Sequence, residues 1–556
     1  MQTNLKLYQY LIAIIVVSSV KSQEPLIEIS QGTLRGLTLE NKDGGIFYGF
    51  KSIPYAKPPI NELRFKAPIP ADGWKGIRNA TEEITECAQF SAGVSGILTS
   101  GVEDCLYLNV FIPEIPRENA TKKPVMVFIH GGAFYTGSAS STVTGPEFIM
   151  TKNVIFVSIR LGVFGFINFE DPELEVPGNA GMKDQVLALK WVKENIEAFG
   201  GDPDNVLIFG NSAGSMSVHL HMLSPMSKGL FNKVIGQSGV GIAPTIIDDK
   251  NNGFAIAEQL GIQTENLTET LRMLREASAA DLSIAEASIP TNKIVYSSPV
   301  IESPSKEEAF LSEQPIDILL SVFISSNYNH AAFLTGFNDL EGLLLEMMSL
   351  LMTGESMLIE DFTQFIPEDL KIVPGSEEED ILSQRIKEFY YGDTEPSRDD
   401  ILPAVALYSD FLFTFPAYRA ALEHTKTSTD PVYVYYFTAD TKLNIVKQLM
   451  DQFQQYPGAA HGDEIGYVFQ TLFTPVIEEG SAEDLVMRSV IDLWTNFAIY
   501  GNPTPDNSLG FKWESVEEDV FNYLHIGTYS NNATVNPRPE NMAFWSQIYE
   551  DYFPRV

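Results

Sequence analysis

The sequence predicts an α/β fold in which one mostly parallel sheet is covered by helices on both faces. Several short runs are apolar at consecutive positions, which is typical of strands buried on both faces. Segments with helical periodicity lie between them, for example residues 182–196, and this alternation indicates one wound sheet. The candidate strands are residues 124–129, 153–159, 205–209, 233–237, 332–335 and 432–437.

We predict a single domain, residues 23–556, after a signal peptide at residues 1–22. The N-terminal segment has Lys6 near its start, an apolar core at residues 11–17 and small residues before residue 23, which is the pattern of a secretory signal. The core is too short to span a bilayer, no later apolar run reaches that length, and the C-terminus resembles neither a lipid-anchor nor a retention signal. We therefore expect a secreted, extracellular protein.

The charge balance is strongly acidic. The formal net charge is −36, from 37 Lys+Arg against 73 Asp+Glu. Such a surface repels the phosphates of nucleic acids and anionic lipid headgroups. We therefore expect no nucleic-acid partner and no stable membrane insertion. The acidity is interpreted as a solubility feature, with attraction of a cationic ligand as the alternative.

Cysteine usage and glycosylation motifs agree with secretion. Two cysteines in a secreted chain most simply form one disulfide, here between Cys87 and Cys105. Motifs of the Asn-x-Ser/Thr type are candidate glycosylation sites in such a chain. They occur at Asn79, Asn119, Asn266 and Asn532.

A serine stands between two glycines where a strand becomes a helix. The apolar run 205–209 is followed by Gly210-Asn-Ser-Ala-Gly214 and then by helical periodicity. This is the Gly-x-Ser-x-Gly elbow, which exposes the Ser212 hydroxyl above the sheet. The alternative is a tight turn in which the serine only caps the helix.

A serine hydroxyl needs a base, and the base needs a carboxylate to orient it. In this arrangement the acid and then the histidine follow the serine along the chain. His461 lies in a glycine-bearing loop after a predicted strand, from which its ring could reach Ser212. Between the two, Asp339 and Glu341 lie just past another predicted strand. From the chemistry alone either carboxylate could serve.

The negative oxygen that develops during acyl transfer needs converging backbone N–H groups. The stretch 130–134, His-Gly-Gly-Ala-Phe, follows a predicted strand. The amides of Gly132, Ala133 and Ala213 make three donors for an oxyanion hole. The histidine spacing offers no zinc-binding set, so we predict neither a metal nor a cofactor.

Two longer segments resemble the signatures of type-B carboxylesterases. Residues 199–214 resemble the serine signature of this family, and residues 103–111 resemble its second signature. The resemblance extends from Gly32 to the C-terminus. Within this family the chain is similar to secreted insect esterases of the antennal and juvenile hormone type. It implies the α/β-hydrolase fold and the hydrolysis of carboxylic esters to an acid and an alcohol.

The resemblance also assigns roles to individual residues. It selects Glu341 as the acid, because the family places its carboxylate directly before a glycine in this segment. It supports His461 as the base and Gly132, Ala133 and Ala213 as the oxyanion donors. The further contacts that it implies are the Cys87–Cys105 bridge, a hydrogen bond from Ser238 to the acid, and the buried ion pairs Arg64–Glu103 and Arg160–Asp184.

The chain departs from the family pattern near the site. Asn211 stands before the nucleophile where the family usually has glutamate, so we expect His461 to titrate somewhat lower than in such relatives. Residues 158–162 lack an Asn-Tyr pair that the family places before the arginine. Ala133 stands where many relatives have a third glycine, and its methyl group narrows the acyl pocket. The segment between the cysteines has Phe90 but no tryptophan, which argues against a choline site.

The sequence therefore predicts a serine carboxylesterase acting on a small-molecule ester. Degradation of a hormone, an odorant or pheromone, or a xenobiotic ester fits this chemistry, and the sequence leaves the substrate and the oligomeric state open. An amidase or a lipase is an alternative hydrolase. A non-catalytic binding protein on the same fold is a further alternative, which the complete set of serine, acid and histidine disfavours.

A Leu- and Met-rich stretch, residues 343–352, follows the predicted acid. We predict that it packs as an ordinary core helix. The alternative is that it lines a lipophilic gorge, because methionine-rich helices adapt to varied apolar ligands.

Overall fold

The computed structural model describes residues 24–93, 96–169, 171–244, 247, 251–264, 266–289, 297–303, 308–321 and 328–553. The predicted signal peptide, residues 1–22, lies outside these residues. Within the described ranges, no helix is both long enough and apolar enough to cross a membrane.

Most strands of the described chain belong to one large sheet. The strands in chain order are β1 (Leu26–Ile29), β2 (Gly32–Arg35), β3 (Leu37–Glu40), β4 (Ile46–Pro54), β5 (Ile77–Asn79), β6 (Gln89–Gly93), β7 (Gly96–Ser100), β8 (Tyr107–Ile112), β9 (Lys123–Ile129), β10 (Ile155–Ile159), β11 (Gly201–Asn211), β12 (Lys233–Gln237), β13 (Ala332–Asn338), β14 (Val432–Phe437), β15 (Asn522–Ile526) and β16 (Asn531–Val535). The large sheet has the order β16-β15-β14-β13-β12-β11-β9-β10-β8-β4-β3. Neighbours from β15 to β10 are parallel, and antiparallel strands flank them.

Helices connect these strands and cover the sheet. They are α1 (Ala180–Asn195), α2 (Ala213–Met222), α3 (Asn252–Gln259), α4 (Leu267–Glu276), α5 (Ala279–Ala287), α6 (Pro315–Leu320), α7 (Leu343–Thr353), α8 (Glu377–Tyr391), α9 (Leu402–Ser409), α10 (Phe415–Thr427), α11 (Ile445–Gln448), α12 (Ala482–Tyr500) and α13 (Pro539–Tyr552). A π-helical turn, Asp410–Thr414, joins α9 to α10. The predicted α/β class is confirmed, and the six predicted strands are β9 to β14.

The core consists of two apolar clusters, one on each face of the sheet. Along β11, Val206 and Ile208 pack with the helices of one face, whereas Leu207 and Phe209 pack with Trp494 of α12 on the other. Successive side chains of a strand point to opposite faces, so a strand covered on both sides must be apolar throughout. This explains why the central strands read as continuous hydrophobic runs.

Two contacts implied by the resemblance are confirmed near the N-terminal half of the sheet. Cys87 and Cys105 form a disulfide. Arg64 and Glu103 form a two-pronged ion pair, with the Arg64 Nε and Nη2 atoms 2.7 and 2.6 Å from the two carboxylate oxygens. The Arg64 side chain also donates to backbone carbonyls of α4 and the turn after it, which ties this segment to the disulfide region.

The predicted ion pair between Arg160 and Asp184 is wrong. Arg160 follows the last residue of β10, donates to Ile84 O, and lies 3.9 Å from the Glu83 carboxylate. Asp184 on α1 accepts a hydrogen bond from Gly162 N at 3.2 Å and forms no ion pair among the described residues. The connection after β10 lacks two residues relative to the pattern that the resemblance implies. Arg160 contacts residues 83 and 84 instead of α1.

Asp184 is consequently a buried carboxyl without a cation among the residues that the structure describes. It is 4% exposed, and burial raises its pKa well above the ordinary value of 3.8. A cavity of about 30 Å³ lies beside it and is also lined by Arg64, Glu103 and Gly162. Since the folded state resists ionisation of this group, Asp184 destabilises the fold as the pH rises above the unfolded-state pKa.

We expect Asp184→Asn to raise the thermal unfolding temperature at pH 7 and to have little effect at pH 4. The gain should grow with pH by about 1.4 kcal/mol per unit until the folded-state pKa is reached, because only the unfolded chain releases this proton. Thermal unfolding of the wild type and the variant at four pH values between 4 and 7 measures this gain in stability. Asp393→Asn, at an exposed carboxylate, is the control. Equal shifts at all pH values would contradict the assignment.

A buried chain of hydrogen bonds between uncharged side chains begins on α2, the helix that follows the elbow. His219 Nε2 is 2.8 Å from His424 Nε2, and Tyr328 Oη is 2.6 Å from His424 Nδ1. Gly241 N donates to His219 Nδ1 at 3.1 Å. This fixes the tautomers: His219 donates from Nε2, and His424 accepts there and donates from Nδ1. An extra proton on either ring would place a donor against a donor.

This arrangement predicts a loss of stability in acid. Burial lowers the pKa of His219 to about 3, and burial together with the neighbouring His219 lowers that of His424 well below its ordinary value. The stabilisation is complete above the unfolded-state pKa of about 6.5 and is lost as the pH falls below it, by about 1.4 kcal/mol per unit for each histidine. The double variant His219→Leu/His424→Leu should show a shallower decline in stability between pH 6.5 and 4.

Urea unfolding at each pH compares the slopes of the wild type and the double variant. His330→Ala serves as the control, because His330 is an exposed histidine and its loss should leave the slope unchanged. Parallel pH profiles for the wild type and the double variant would show that this pair does not govern acid stability.

Candidate active site

The serine elbow has the geometry that the sequence predicts. β11 ends at Asn211, α2 begins at Ala213, and Ser212 between them has φ 58° and ψ −125°. This strained backbone holds the side chain above the sheet. A Cβ atom on Gly214 would lie 2.1 Å from Ile129 O of the neighbouring strand, so only glycine permits the close crossing of helix and strand.

The predicted oxyanion loop packs directly on the elbow. A Cβ atom on Gly131 would lie 2.7 Å from the Asn211 carbonyl oxygen and 3.1 Å from Ser212 Cβ. Gly132, Ala133 and Phe134 have φ values of 118°, 52° and 66°, so the loop turns sharply after β9. The amides of Gly132, Ala133 and Ala213 are not used in hydrogen bonds between described residues, which leaves them available to a ligand.

The structure brings His461 and Glu341 into contact. The distance between His461 Nδ1 and Glu341 Oε2 is 2.6 Å, and Glu341 Oε1 accepts a hydrogen bond from Asn338 N at 2.7 Å. Glu341 is fully buried and His461 is 5% exposed. Because the carboxylate accepts at Nδ1, the lone pair of His461 is on Nε2, an atom without a hydrogen-bond partner among the described residues. Asp339, the other candidate acid, instead accepts from Ala459 N.

The surroundings of His461 shift its protonation. Burial lowers its pKa, but the charges of Glu341, Glu464 and Asp463 together with the Glu341 hydrogen bond outweigh burial, so the pKa lies above the ordinary value. Asp463 accepts from Ala460 N, Val446 N and Lys447 N, which shapes the loop that carries the histidine. The prediction that Asn211 lowers this pKa relative to relatives with glutamate stays a prediction.

The π-helical turn contributes a residue that the sequence analysis missed. The Phe413 ring lies against the His461 ring with a centroid distance of 4.5 Å. Ser409, just before the turn, accepts a hydrogen bond from Gly342 N at 2.9 Å, beside the predicted acid. Asp410 anchors the turn by accepting from Tyr390 Oη, Arg538 and Asn541. A hydrophobic pattern does not distinguish a π-turn from an ordinary helix, so no sequence signal marked Phe413.

A second buried carboxylate, Glu464, faces the residue before the nucleophile. Asn211 Nδ2 lies 2.7 Å from Glu464 Oε1, and Asn338 Nδ2 lies 2.6 Å from Glu464 Oε2. Burial and then the charge of Glu341 raise the pKa of Glu464 to about 7. Glu464 lies three residues after His461, but the sequence does not reveal its contacts, because its partners come from strands far apart along the chain.

The predicted hydrogen bond from Ser238 to the acid is not formed. Ser238 has φ 57°, and its amide donates to Gly336 O. Its hydroxyl has no hydrogen-bond partner among the described residues, and both Glu341 oxygens are already bound by Asn338 and His461. The strained backbone at Ser238 places the residue beside the acid without directing its hydroxyl to it.

Helix α7 packs on the core with one face only, through Leu343 and the partly buried Leu345, Met347 and Leu350, so the predicted core helix is confirmed in part. Only Leu343 and Glu346 of this helix are buried, and its other leucines and methionines are partly or fully exposed. The helix lies beside β6. Phe90 of β6 stacks on Tyr135, just past the oxyanion loop, at a centroid distance of 5.0 Å. A half-exposed apolar helix therefore borders the segments that surround the elbow.

Metal-ligating side chains do not cluster in the described part of the chain. No three side chains of histidine, cysteine, aspartate or glutamate are grouped there so that they could hold an ion.

Comparison with known proteins places the chain in a family. The profile of the carboxylesterase family matches residues 23–545. The chain is 32% identical to a juvenile hormone esterase of Tribolium castaneum, over 96% of this chain and 95% of the relative. It is 31% identical to a carboxylic ester hydrolase of Bombus ignitus, over 95% and 94% of the two chains, and 33% identical to esterase FE4 of Myzus persicae, over 88% and 86%.

A solved structure has the same architecture. The juvenile hormone esterase of Manduca sexta, determined with OTFP covalently attached, superposes with a TM-score of 0.80 at 26% identity. The alignment covers 95% of this chain and 100% of that one. The chain therefore belongs to the carboxylesterase family and is a carboxylic ester hydrolase with the α/β-hydrolase fold.

Proposed function

We propose that the chain hydrolyses esters through an acyl-enzyme on Ser212. The observation that carries the proposal is the 2.6 Å contact of His461 Nδ1 with Glu341, which leaves the basic Nε2 atom without another partner among the described residues. His461 removes the proton of Ser212 as the hydroxyl attacks the ester carbonyl, and returns it to the leaving alcohol. It then activates water, which releases the acid. Glu341 orients the imidazole and stabilises its charged form.

The oxyanion of each tetrahedral intermediate is assigned to three backbone amides, those of Gly132, Ala133 and Ala213. The proposal is supported by the positive-φ turn, which packs on the elbow, and by the start of α2 directly after Ser212; the three amides are unused in hydrogen bonds between described residues. Preorganised donors of this kind stabilise developing charge without reorganisation. Phe413 packs on the His461 ring and would limit its rotation between the two proton transfers.

The substrate is proposed to be a lipophilic ester. Leu344, Met348 and Leu351 lie on one face of α7, since residues three and four apart are neighbours on a helix. All three are at least partly exposed, and such an apolar stripe beside the site suits an aliphatic chain of the substrate. The names of the similar juvenile hormone esterases agree with a substrate of this kind. Hormone, odorant and xenobiotic esters all belong to the class.

Secretion is proposed on independent grounds. The disulfide between Cys87 and Cys105 suits an oxidising compartment. The four candidate glycosylation sites, Asn79, Asn119, Asn266 and Asn532, are all exposed, as carriers of glycans must be. The N-terminal signal pattern of the sequence points to the same compartment.

Replacement of the nucleophile tests the mechanism. We expect Ser212→Ala to lower kcat for nitrophenyl acetate by at least about 1,000-fold and to abolish labelling by a fluorophosphonate, because no hydroxyl remains to attack. Ser288→Ala, at an exposed serine, should retain both. Wild-type protein that neither hydrolyses the ester nor reacts with the probe would contradict the proposed function.

A series of acyl chain lengths tests the substrate class. We expect Leu344→Asn/Met348→Asn to lower kcat/KM for nitrophenyl octanoate by about tenfold, since each methylene removed from water contributes about 0.8 kcal/mol. The value for nitrophenyl acetate should change little. Leu485→Asn, at an exposed leucine of α12, is the matched control. An equal loss on both esters would argue that α7 does not contact the acyl chain.

A further inference from the structure

Three side-chain amides meet at one buried carboxylate beside the proposed base. They belong to the last residues of β11, β12 and β13, which are Asn211, Gln237 and Asn338. These strands are adjacent and parallel in the sheet, so their carboxyl ends lie at one edge. Asn211 Nδ2 lies 2.7 Å from Glu464 Oε1, Gln237 Nε2 lies 3.4 Å from the same atom, and Asn338 Nδ2 lies 2.6 Å from Oε2.

Second contacts fix the orientation of each amide. Gln237 Oε1 accepts from Trp494 Nε1 at 3.2 Å, which turns the NH₂ group of Gln237 towards Glu464. Asn338 Nδ2 also donates to Ala460 O at 2.7 Å, and Asn211 Nδ2 lies 3.4 Å from Gln237 O. All three neighbours therefore present donors. A protonated carboxyl would need an acceptor, whereas a carboxylate accepts from all three.

Asn211 is decisive among these donors because of its position. It precedes the proposed nucleophile, at the position where the resemblance implies a glutamate. A carboxylate 2.7 Å from Glu464, in place of the Asn211 amide, would repel it and force one of the two to take a proton. The Asn211 amide instead donates a hydrogen bond to Glu464, so a single negative charge remains here. That charge is on Glu464, in the segment that carries the proposed base, and not in the segment that carries the nucleophile.

Resting on the proposed function, we propose that Asn211 is a positioning residue that keeps Glu464 ionised, and that the Glu464 anion stabilises the imidazolium form of His461. Neither residue needs to touch the substrate. The other ionisable groups around Glu464 are Glu341, Asp463 and Tyr435. Of these, Glu341 is bound by His461 and Asn338, and Asp463 by three backbone amides, so Glu464 alone depends chiefly on side-chain amides among the contacts described.

The direction of the effect follows from the charges. The pKa of Glu464, raised to about 7 by burial, makes its charge at neutral pH sensitive to a single donor. Loss of the Asn211 donor raises this pKa further and leaves Glu464 neutral. His461 then lacks one of the negative charges that raise its own pKa. The base loses its proton at a lower pH, so the acidic limb of the activity profile moves down.

The test is the pH dependence of kcat/KM for nitrophenyl acetate, which reports the ionisation of the free enzyme. We expect Glu464→Gln to move the acidic limb to lower pH by about half a unit or more, and Asn211→Ala to move it in the same direction. The double variant should show no larger shift than Glu464→Gln alone, because Asn211 acts through the charge of Glu464. Thermal unfolding of each variant confirms that the folded protein is measured.

Asn109→Ala is the matched control. Asn109 is also a buried amide that donates to a glutamate, with Nδ2 3.2 Å from Glu83 Oε1, but it lies outside the set around His461. This variant should lower the unfolding temperature and leave the limb in place. An unmoved limb in Glu464→Gln would overturn the role of Glu464. A shift in Glu464→Gln without one in Asn211→Ala, or additive shifts, would overturn the role of Asn211. Absence of hydrolysis by the wild type would contradict the proposed function instead.

Discussion

The hydrogen bond between His461 Nδ1 and Glu341 Oε2 is the contact around which the site is built. Both groups are buried, and a buried carboxylate is costly unless every acceptor is used. Here the backbone supplies the missing donor, since Asn338 N binds the second oxygen. Asn338 ends β13, three residues before the acid. The strand end therefore positions the carboxylate and compensates its burial at the same time.

Burial of charge also determines the shape of the histidine loop. Asp463 accepts from amides of its own turn and of α11, and Asp339 accepts from Ala459 N. Each of these two carboxylates thus binds backbone N–H groups of the histidine loop or of a neighbouring segment, because a backbone N–H is the donor that a loop always has available. Glu464 is different, since most of the donors described for it are side chains. A substitution can therefore remove a donor from Glu464, whereas, unless it introduces proline, it cannot remove the backbone N–H groups that bind Asp463 and Asp339.

The fold and the elements of the site could be predicted from the sequence because each has a local pattern. The elbow is a strand, a glycine-flanked serine and a helix in succession, and the strands are apolar on both faces. Two unsuccessful predictions concern side-chain partners. The resemblance predicts an ion pair of Arg160 with Asp184, but the Arg160 guanidinium donates to Ile84 O and lies 3.9 Å from the Glu83 carboxylate. Ser238 lies beside the acid, yet its backbone conformation does not direct the hydroxyl to it. Such contacts depend on three-dimensional positions that no local pattern encodes.

The predicted oxyanion loop, residues 130–134, combines backbone strain with aromatic packing. Ala133 and Phe134 adopt positive φ values, which cost about 1–3 kcal/mol each for residues other than glycine. Phe134 packs edge-on against Phe166 at 5.1 Å, and Tyr135 stacks on Phe90 at 5.0 Å. Since Phe90 lies between the disulfide-bonded cysteines, its position is itself constrained. A third glycine at position 133 would adopt this backbone conformation without strain but would not fix it. In this chain the aromatic contacts fix the conformation. If these amides bind the oxyanion as proposed, a loop fixed in this way meets the condition for stabilising a charge that exists only during the reaction, because its donors need no reorganisation.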